Sequence, residues 1–195
     1  MSIGRLDALC QDFFKAGNPA IKKPDLIVYI AKGGYLIGCS LQSVFDVPLC
    51  GIFAERASNG IKEKLSKLLV LLPGWLCNLL RRIEIYSNFH KKHSDRKVTF
   101  DNSWHNIIDL GKIKNILLVD DSIDTGWSMH QVRQVLQEKV PGADIKIFVL
   151  NEMSAKKPIV KADFKLYENK ILRTPMSKDS SEYKEFVRLY NSRQG

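Results

Sequence analysis

Residues 116–129 read Ile-Leu-Leu-Val-Asp-Asp-Ser-Ile-Asp-Thr-Gly-Trp-Ser-Met, four aliphatic residues that give way to two adjacent acids and then to a Thr-Gly-Trp-Ser turn. An unbroken aliphatic run fits a strand covered on both faces, as in a parallel sheet. Behind it Met129, Val132, Leu136 and Val140 recur at helical spacing, and Pro141 and Gly142 close that helix. Ligands of open parallel sheets gather beyond the carboxyl ends of the strands, so the end of this strand is where chemistry is expected. Gly126 lets backbone approach a ligand closely. The amides of Thr125 to Ser128, with Trp127 contributing backbone, form a concave set of donors at a helix N-terminus that suits a phosphate, and the Thr125 and Ser128 hydroxyls add to it. Asp120 and Asp121 repel a phosphate but suit sugar hydroxyls, as acceptors, and a hydrated Mg²⁺, as hard oxygen ligands. A phosphorylated ribose meets both demands.

Outward from this stretch the pattern alternates. Leu26 to Ala31 is a compact apolar run that ends in Lys32, Gly33 and Gly34, and Leu36 to Val44 follows as a short helix, so the spacing predicts strand, glycine turn, helix. Val47 to Phe53, Asn115 to Val119 and Ile145 to Leu150 are further strands. A first helix carries Leu6, Leu9, Cys10 and Phe13 and is stopped by Gly17, Asn18 and Pro19. A last helix, capped by Asp179 and Glu182, presents Tyr183, Phe186, Val187 and Tyr190. Strands alternating with helices imply an α/β fold on a mainly parallel central sheet flanked by helices.

The chain of 195 residues, 45% hydrophobic, is long enough to bury one substantial core, and it reads as a single domain, 1–195. Its formal charge of +9 favours anionic partners. Cys10, Cys39, Cys50 and Cys77 lie in apolar surroundings without paired metal spacing and read as reduced, buried thiols. The start of the chain holds Arg5 and Asp7 and looks like neither a secretory signal nor an anchor. The run Leu68 to Leu80, interrupted by Pro73, Gly74 and Asn78, is too short to span a bilayer, so a cytoplasmic protein is expected.

Residues 60–97 break the alternation. Ile61, Leu65, Leu68, Leu69 and Leu72 share one helical face, and Leu76, Leu79, Leu80 and Ile83 share another beyond Pro73 and Gly74, which predicts a helical-hairpin insertion. Nine lysines and arginines against three acids place six of the nine excess charges there. Three roles suit it: a solvated hairpin packed on the domain or on a second subunit, a lid or acceptor-binding hood, or a basic amphipathic surface that touches anionic lipid. His90 and His93 lack partner ligands for zinc, and no Phe, Trp or Tyr interleaves the basic run Lys91 to Lys97 to suit nucleic-acid bases.

Residues 116–129 resemble the phosphoribosyl pyrophosphate loop of the type I phosphoribosyltransferases: four aliphatic residues, two acids, three variable residues, then Thr-Gly-x-Ser. Ala31-Lys32-Gly33-Gly34-Tyr35 resembles the pyrophosphate-binding loop of the hypoxanthine-guanine branch, in which the peptide before the lysine is often cis. Likeness to that branch extends over Asp46 to Ser58 and Asp109 to Gly126, and more weakly over Lys157 to Lys170. The resemblance implies the type I phosphoribosyltransferase fold, a homodimer, and Mg²⁺-dependent transfer of a phosphoribosyl group from phosphoribosyl pyrophosphate to a nucleobase, most simply a 6-oxopurine. A nitrogen nucleophile displaces pyrophosphate at ribose C1 while positive charge builds on the sugar. By the same resemblance Asp124 is the general acid or base and belongs with Asp120, Asp121 and Thr125 to Ser128 to the set that binds the ribose and 5′-phosphate, and Asp120 and Asp121 hold ribose hydroxyls and metal. Thr125 to Ser128 surround the 5′-phosphate, and Lys32, Gly33 and Gly34 bind pyrophosphate. Phe164 and Lys165 fall in the acceptor-binding segment, where Phe164 would stack on the base.

The sequence departs from that family in two places. The insertion begins after Ser58, where the branch carries its flexible catalytic loop, so the lid is expected to be rebuilt. Asn169 stands near the position of an expected metal-binding aspartate. A receiver domain also begins with adjacent aspartates after a strand, but only about 75 residues follow Asp121, short of the roughly 120 that such a unit needs. Each residue also has a plainer duty: a turn for Lys32 to Gly34, a helix cap for Asp124, core packing for Phe164. Two other functions fit the same residues, a non-catalytic sensor of phosphoribosyl pyrophosphate or a nucleotide, and a transferase whose acceptor is not a base.

Overall fold

Period-two alternation sorts the strand side chains into two layers, and the helices supply the matching apolar faces. The computed structural model describes residues 1–15, 22–56, 96–107, 109–153 and 158–194. The elements run α1 (Ile3–Lys15), β1 (Leu26–Ile30), α2 (Ala31–Phe45), β2 (Leu49–Arg56), β3 (Arg96–Phe100), β4 (Asn115–Ile123), α3 (Trp127–Lys139), β5 (Asp144–Glu152), β6 (Phe164–Glu168) and α4 (Tyr183–Gln194), with 3₁₀ turns at Asn102–Asn106 and Leu110–Lys112. The chain divides into two units, Met1–Ala54 with Val98–Gly195, and Glu55–Lys97. Of the second unit only the strand ends at 55–56 and 96–97 are among the described residues, so the predicted hairpin lies outside them, as do His90, His93 and Cys77.

The six strands lie in the order β3-β2-β1-β4-β5-β6. The pairings of β1 with β2 and β4, of β4 with β5 and of β5 with β6 are parallel, with Val28 opposite both Cys50 and Leu118. One face carries Val28, Ile52, Ile116, Leu118, Ile147 and Val149 against Met129, Val132 and Leu136 of α3. The other carries Ile27, Tyr29, Leu117, Val119 and Phe148 against α1, α2 and α4 through Leu6, Phe14, Ile37, Leu41, Phe186 and Tyr190. From β1 the chain moves outward through β2 and β3, then returns to β4 on the opposite side of β1. The carboxyl ends of β1 and β4 therefore flank the point where strand order reverses, the site at which open α/β sheets bind ligands.

Several expectations are corrected. No glycine turn separates β1 from α2: the helix begins at Ala31, with Lys32, Gly33 and Gly34 in its first turn. The described residues hold no cis peptide, and the left-handed backbone at this junction is Ala31, φ 39°. β4 does not end at Val119 but stays paired with β5 through Ile123, so the acid pair belongs to the strand itself. β3 and β6 were not expected as strands, and β3 begins at Arg96 and Lys97, the last two residues of the 60–97 span. On α1 the third buried side chain is Phe14, in place of Leu9 or Phe13. Near α4, Glu182 accepts from the Ile3 amide at 2.6 Å and so caps α1, while Asp179 pairs with Arg173 at 2.9 Å. Cys10 and Cys50 are buried unpaired thiols, whereas Cys39 is only partly covered.

Candidate active site

Two glycines decide how closely α2 meets β4. A β-carbon on Gly34 would stand 3.1 Å from the Val119 carbonyl carbon and nearer still to its oxygen. One on Gly33 would stand 2.6 Å from Asp120 Oδ1 and 3.0 Å from Asp121 Oδ1. Only residues without side chains let this first turn lie on the strand end, and both carboxylates converge on it. Lys32 is exposed on the same turn, its ammonium 5.7 Å from the centre of the Tyr190 ring, a cation–π separation. The structure thus brings Lys32, Gly33 and Gly34 together with Asp120 and Asp121, although about 90 residues separate them in the chain.

The acids are under electrostatic stress. Asp120 is held well above the usual carboxylate range, first by burial and then by the charge of Asp121. Burial also raises Asp121, and the Ser122 hydroxyl, 3.1 Å from its Oδ1, opposes that rise. The Asp121 amide donates to Asp120 Oδ1 at 2.9 Å. Two half-buried carboxylates on adjacent residues call for a counter-charge or for hydroxyl donors, which is what a metal-bound sugar supplies.

Beyond the pair, Asp124 and Thr125 are exposed and Gly126 is buried. Gly126 is the N-cap of α3 at φ 79°, a left-handed conformation that glycine adopts without strain, and it has no side chain to cap the helix. The N-terminus of α3, with Trp127 and Ser128 in its first turn, follows the end of β4, and a helix N-terminus is the element from which an anion cradle is made. From behind, the Ile159 amide donates to the Thr125 carbonyl at 3.1 Å.

The remaining predicted residues fall elsewhere. Phe164 opens β6 opposite Phe148 and, partly buried, packs against the core, its ring 6.4 Å from that of Phe14. In register it lies one strand beyond Phe148, which is itself opposite Val119. Lys165 pairs with Glu152 at 3.0 Å and Glu168 at 3.3 Å. Asn169, at φ 54°, donates its amide to the Glu152 carbonyl at 3.0 Å. Sequence reasoning passed over Asn151, a buried side chain that accepts from the Lys170 amide at 3.1 Å and donates to the Lys170 carbonyl at 2.8 Å. This clamp presents Ile171, wholly exposed, beyond the carboxyl ends of β5 and β6. The cue was a lone polar pair, Asn151 and Glu152, at the end of an aliphatic strand. Clefts of about 480 Å³ beside Met1 and Glu182, and about 260 Å³ beside Asn115 and Asp144, are lined by other residues than the acids.

Residues 8–175 match the phosphoribosyl transferase domain family. The chain is a type I phosphoribosyltransferase. No curated protein gives a significant sequence match. Among solved structures, the phosphoribosyltransferase resembles the xanthine-guanine-hypoxanthine phosphoribosyltransferase of Helicobacter pylori, at 20% identity and a TM-score of 0.53 over 85% of this chain and 82% of that one. It resembles the purine phosphoribosyltransferase of Pyrococcus horikoshii at 17% and 0.54, over 89% and 96%. It also resembles a hypothetical protein of Neisseria gonorrhoeae with bound ppGpp, at 17% and 0.50, over 97% and 92%. At these identities the likeness is one of fold.

The donor set of this phosphoribosyltransferase fits a divalent cation. Asp120 and Asp121 offer hard oxygens whose mutual repulsion a cation would relieve. Among the described residues no group of three or more His, Cys, Asp or Glu side chains gathers to hold a metal. A cation here would complete its shell with water and substrate oxygens, as Mg²⁺ commonly does. Among the described residues no helix is long and apolar enough to cross a membrane.

Proposed function

We propose that this phosphoribosyltransferase moves the 5-phosphoribosyl group from phosphoribosyl pyrophosphate to a 6-oxopurine and releases pyrophosphate. The observation that carries the proposal is the convergence of Gly33 on Asp120 and Asp121 at the reversal of strand order, with the α3 cradle on the same strand end. In this reading the amides of Thr125 to Ser128 bind the 5′-phosphate and the acid pair accepts from the ribose hydroxyls. Lys32, with the neighbouring amides of Gly33 and Gly34, draws off the pyrophosphate. As C1 loses its leaving group, positive charge builds on the ribose facing two carboxylates already short of counter-charge, so the site favours the transition state over the ground state. Asp124, exposed on the loop between the acid pair and the cradle, takes the proton of the attacking nitrogen or returns one to the base. Mg²⁺, held by Asp120 and Asp121 directly or through water, would neutralise the departing pyrophosphate.

The acceptor belongs beside the carboxyl ends of β5 and β6, where Ile171 offers an apolar surface on a turn fixed by Asn151. A homodimer in the cytoplasm is part of the same proposal. A second reading is a nucleotide-binding regulator, favoured by the match over 97% of this chain to the Neisseria gonorrhoeae protein with bound ppGpp.

The test offers guanine, hypoxanthine, xanthine, adenine, uracil and orotate separately with phosphoribosyl pyrophosphate and Mg²⁺, and follows pyrophosphate release. Release with a 6-oxopurine alone supports the proposal, and release only with adenine or a pyrimidine overturns its acceptor. Tight binding of ppGpp with no release from any base overturns it in favour of the regulator.

A further inference from the structure

Glu152 ends β5 and is only 3% exposed, yet no step above uses it. A buried carboxylate is destabilising unless it is paired and hydrogen-bonded, and both of its oxygens are engaged. Oε1 accepts from Lys165 Nζ at 3.0 Å, and Oε2 accepts from the Ala162 amide at 2.7 Å. Its own backbone is fixed as well, since its carbonyl accepts from Asn169 and the next amide, Met153, donates to the Ile123 carbonyl at 2.8 Å.

The segment that Glu152 grips is the one behind the phosphate cradle. Three residues before Ala162, the Ile159 amide donates to the Thr125 carbonyl. A β-carbon on Gly126 would lie 2.9 Å from the Val160 nitrogen and 3.1 Å from its oxygen, so the backbone of this segment touches the glycine that turns the cradle. The contacts run without a gap from Lys165 to Glu152, to Ala162, to Ile159 and Val160, and to Thr125 and Gly126.

We propose that Glu152, paired with Lys165, is a positioning residue for the sugar 5′-phosphate: it holds residues 159–162 against the turn at Thr125–Gly126 and so sets the curvature of the amide cradle without touching the ligand. The inference rests on the reading of Thr125 to Ser128 as the 5′-phosphate site. A carboxylate at this place, and not an apolar residue, follows from its double task, since the Ala162 amide needs an acceptor and the buried carboxylate then takes its counter-charge from the partly exposed Lys165.

The test is calorimetric titration of the intact protein, in Mg²⁺ buffer, with ribose 5-phosphate, phosphoribosyl pyrophosphate and inorganic pyrophosphate, with the Tm recorded for every variant. Glu152→Ala is expected to weaken both sugar phosphates about tenfold while pyrophosphate stays within about twofold of the wild type. Glu152→Gln keeps an acceptor for Ala162 and loses the ion pair, and is expected to recover most of the loss. Wild-type binding of both sugar phosphates by Glu152→Ala would overturn the proposal. So would an equal loss of all three ligands, the mark of a merely structural role.

If Glu152→Ala does not fold, Lys165→Met decides: about threefold weaker ribose 5-phosphate with unchanged pyrophosphate is expected, and wild-type binding overturns the proposal. Gly126→Ala separates the two layers of inference. If it binds ribose 5-phosphate normally, or if the wild type does not bind that ligand, the phosphate-site reading itself fails. If Gly126→Ala loses the ligand and the Glu152 and Lys165 variants do not, only the positioning role fails.

Discussion

Gly33 and Gly34 are adjacent, both lie in the first turn of α2, and the structure assigns them opposite consequences on substitution by alanine. At Gly34 the added methyl would press on the Val119 carbonyl, 3.1 Å from its carbon. That group belongs to a central strand paired on both sides, so β4 cannot yield and the helix must lift away. Overpacking against fixed backbone costs about 3 kcal/mol, which in a chain of this size lowers Tm by about 6–12 °C. At Gly33 the atoms met are the ends of the Asp120 and Asp121 side chains, which can turn aside. Alanine also gains about 0.5–1 kcal/mol over glycine inside a helix, so Gly33→Ala should leave stability within about 1 kcal/mol of the wild type. The displaced carboxylates would no longer meet the ribose, and kcat/KM should fall about 100-fold. The assay pairs thermal unfolding with pyrophosphate release for both variants. An unchanged Tm in Gly34→Ala, or wild-type activity in Gly33→Ala, would refute the close packing of α2 on β4 and the placing of the acid pair on the reacting sugar.

Further expectations follow from the same geometry. Burial raises Asp120 well above, and Asp121 above, the ordinary carboxylate value, so the stability they confer is fully present below the unfolded value and is lost as pH rises through the folded one. Asp120→Asn should therefore raise Tm at pH 7, by a margin that shrinks toward pH 4, while activity falls about 100-fold or more; an equal gain at both pH values would contradict the electrostatic account. Mg²⁺ should raise the Tm of the wild type and not that of an Asp120→Asn, Asp121→Asn double variant, measured with and without chelator. Burial pushes the Cys10 thiol up to about 12 and Cys50 to about 11, so alkylation at pH 8 should spare both in the native state and reach them after unfolding, as read by peptide mass. Phe164→Leu should lower Tm without changing KM for the acceptor, since the ring packs with Phe14; a raised acceptor KM at unchanged Tm would return Phe164 to the base site.

The parts of the fold legible in the sequence were those encoded by neighbours in the chain. The aliphatic run at 116–119, the acids beside it and the Thr-Gly turn follow one another directly, and the alternation of apolar runs with helical stripes needs no distant information. What escaped depends on partners far away in sequence. A Gly-Gly pair after a strand ordinarily reads as a turn, and only the approach of Val119 and Asp120 shows why the glycines sit inside a helix. The span of β6 is short, half-covered and mixed in character, a weak signal until β5 is there to pair with it. Glu182 looked like a cap for the helix it precedes and instead caps α1, from 179 residues away. The burial of Asn151 and Glu152 likewise follows from their partners at Lys170, Ala162 and Lys165 and not from their own polarity.

The central claim, that the crevice between β1 and β4 performs phosphoribosyl transfer, is tested most directly by comparing the wild type with Asp124→Asn in Mg²⁺ buffer. Both the affinity for phosphoribosyl pyrophosphate and the turnover to nucleoside monophosphate would be measured with the best base. The account predicts matched affinity and a kcat lowered about 10²- to 10⁴-fold, because in the proposed mechanism Asp124 moves a proton while the acid pair and the amides of Thr125 to Ser128 carry most of the hold on the sugar phosphate. Undiminished turnover in Asp124→Asn, or a wild type that binds phosphoribosyl pyrophosphate tightly and converts it with no base, would contradict it.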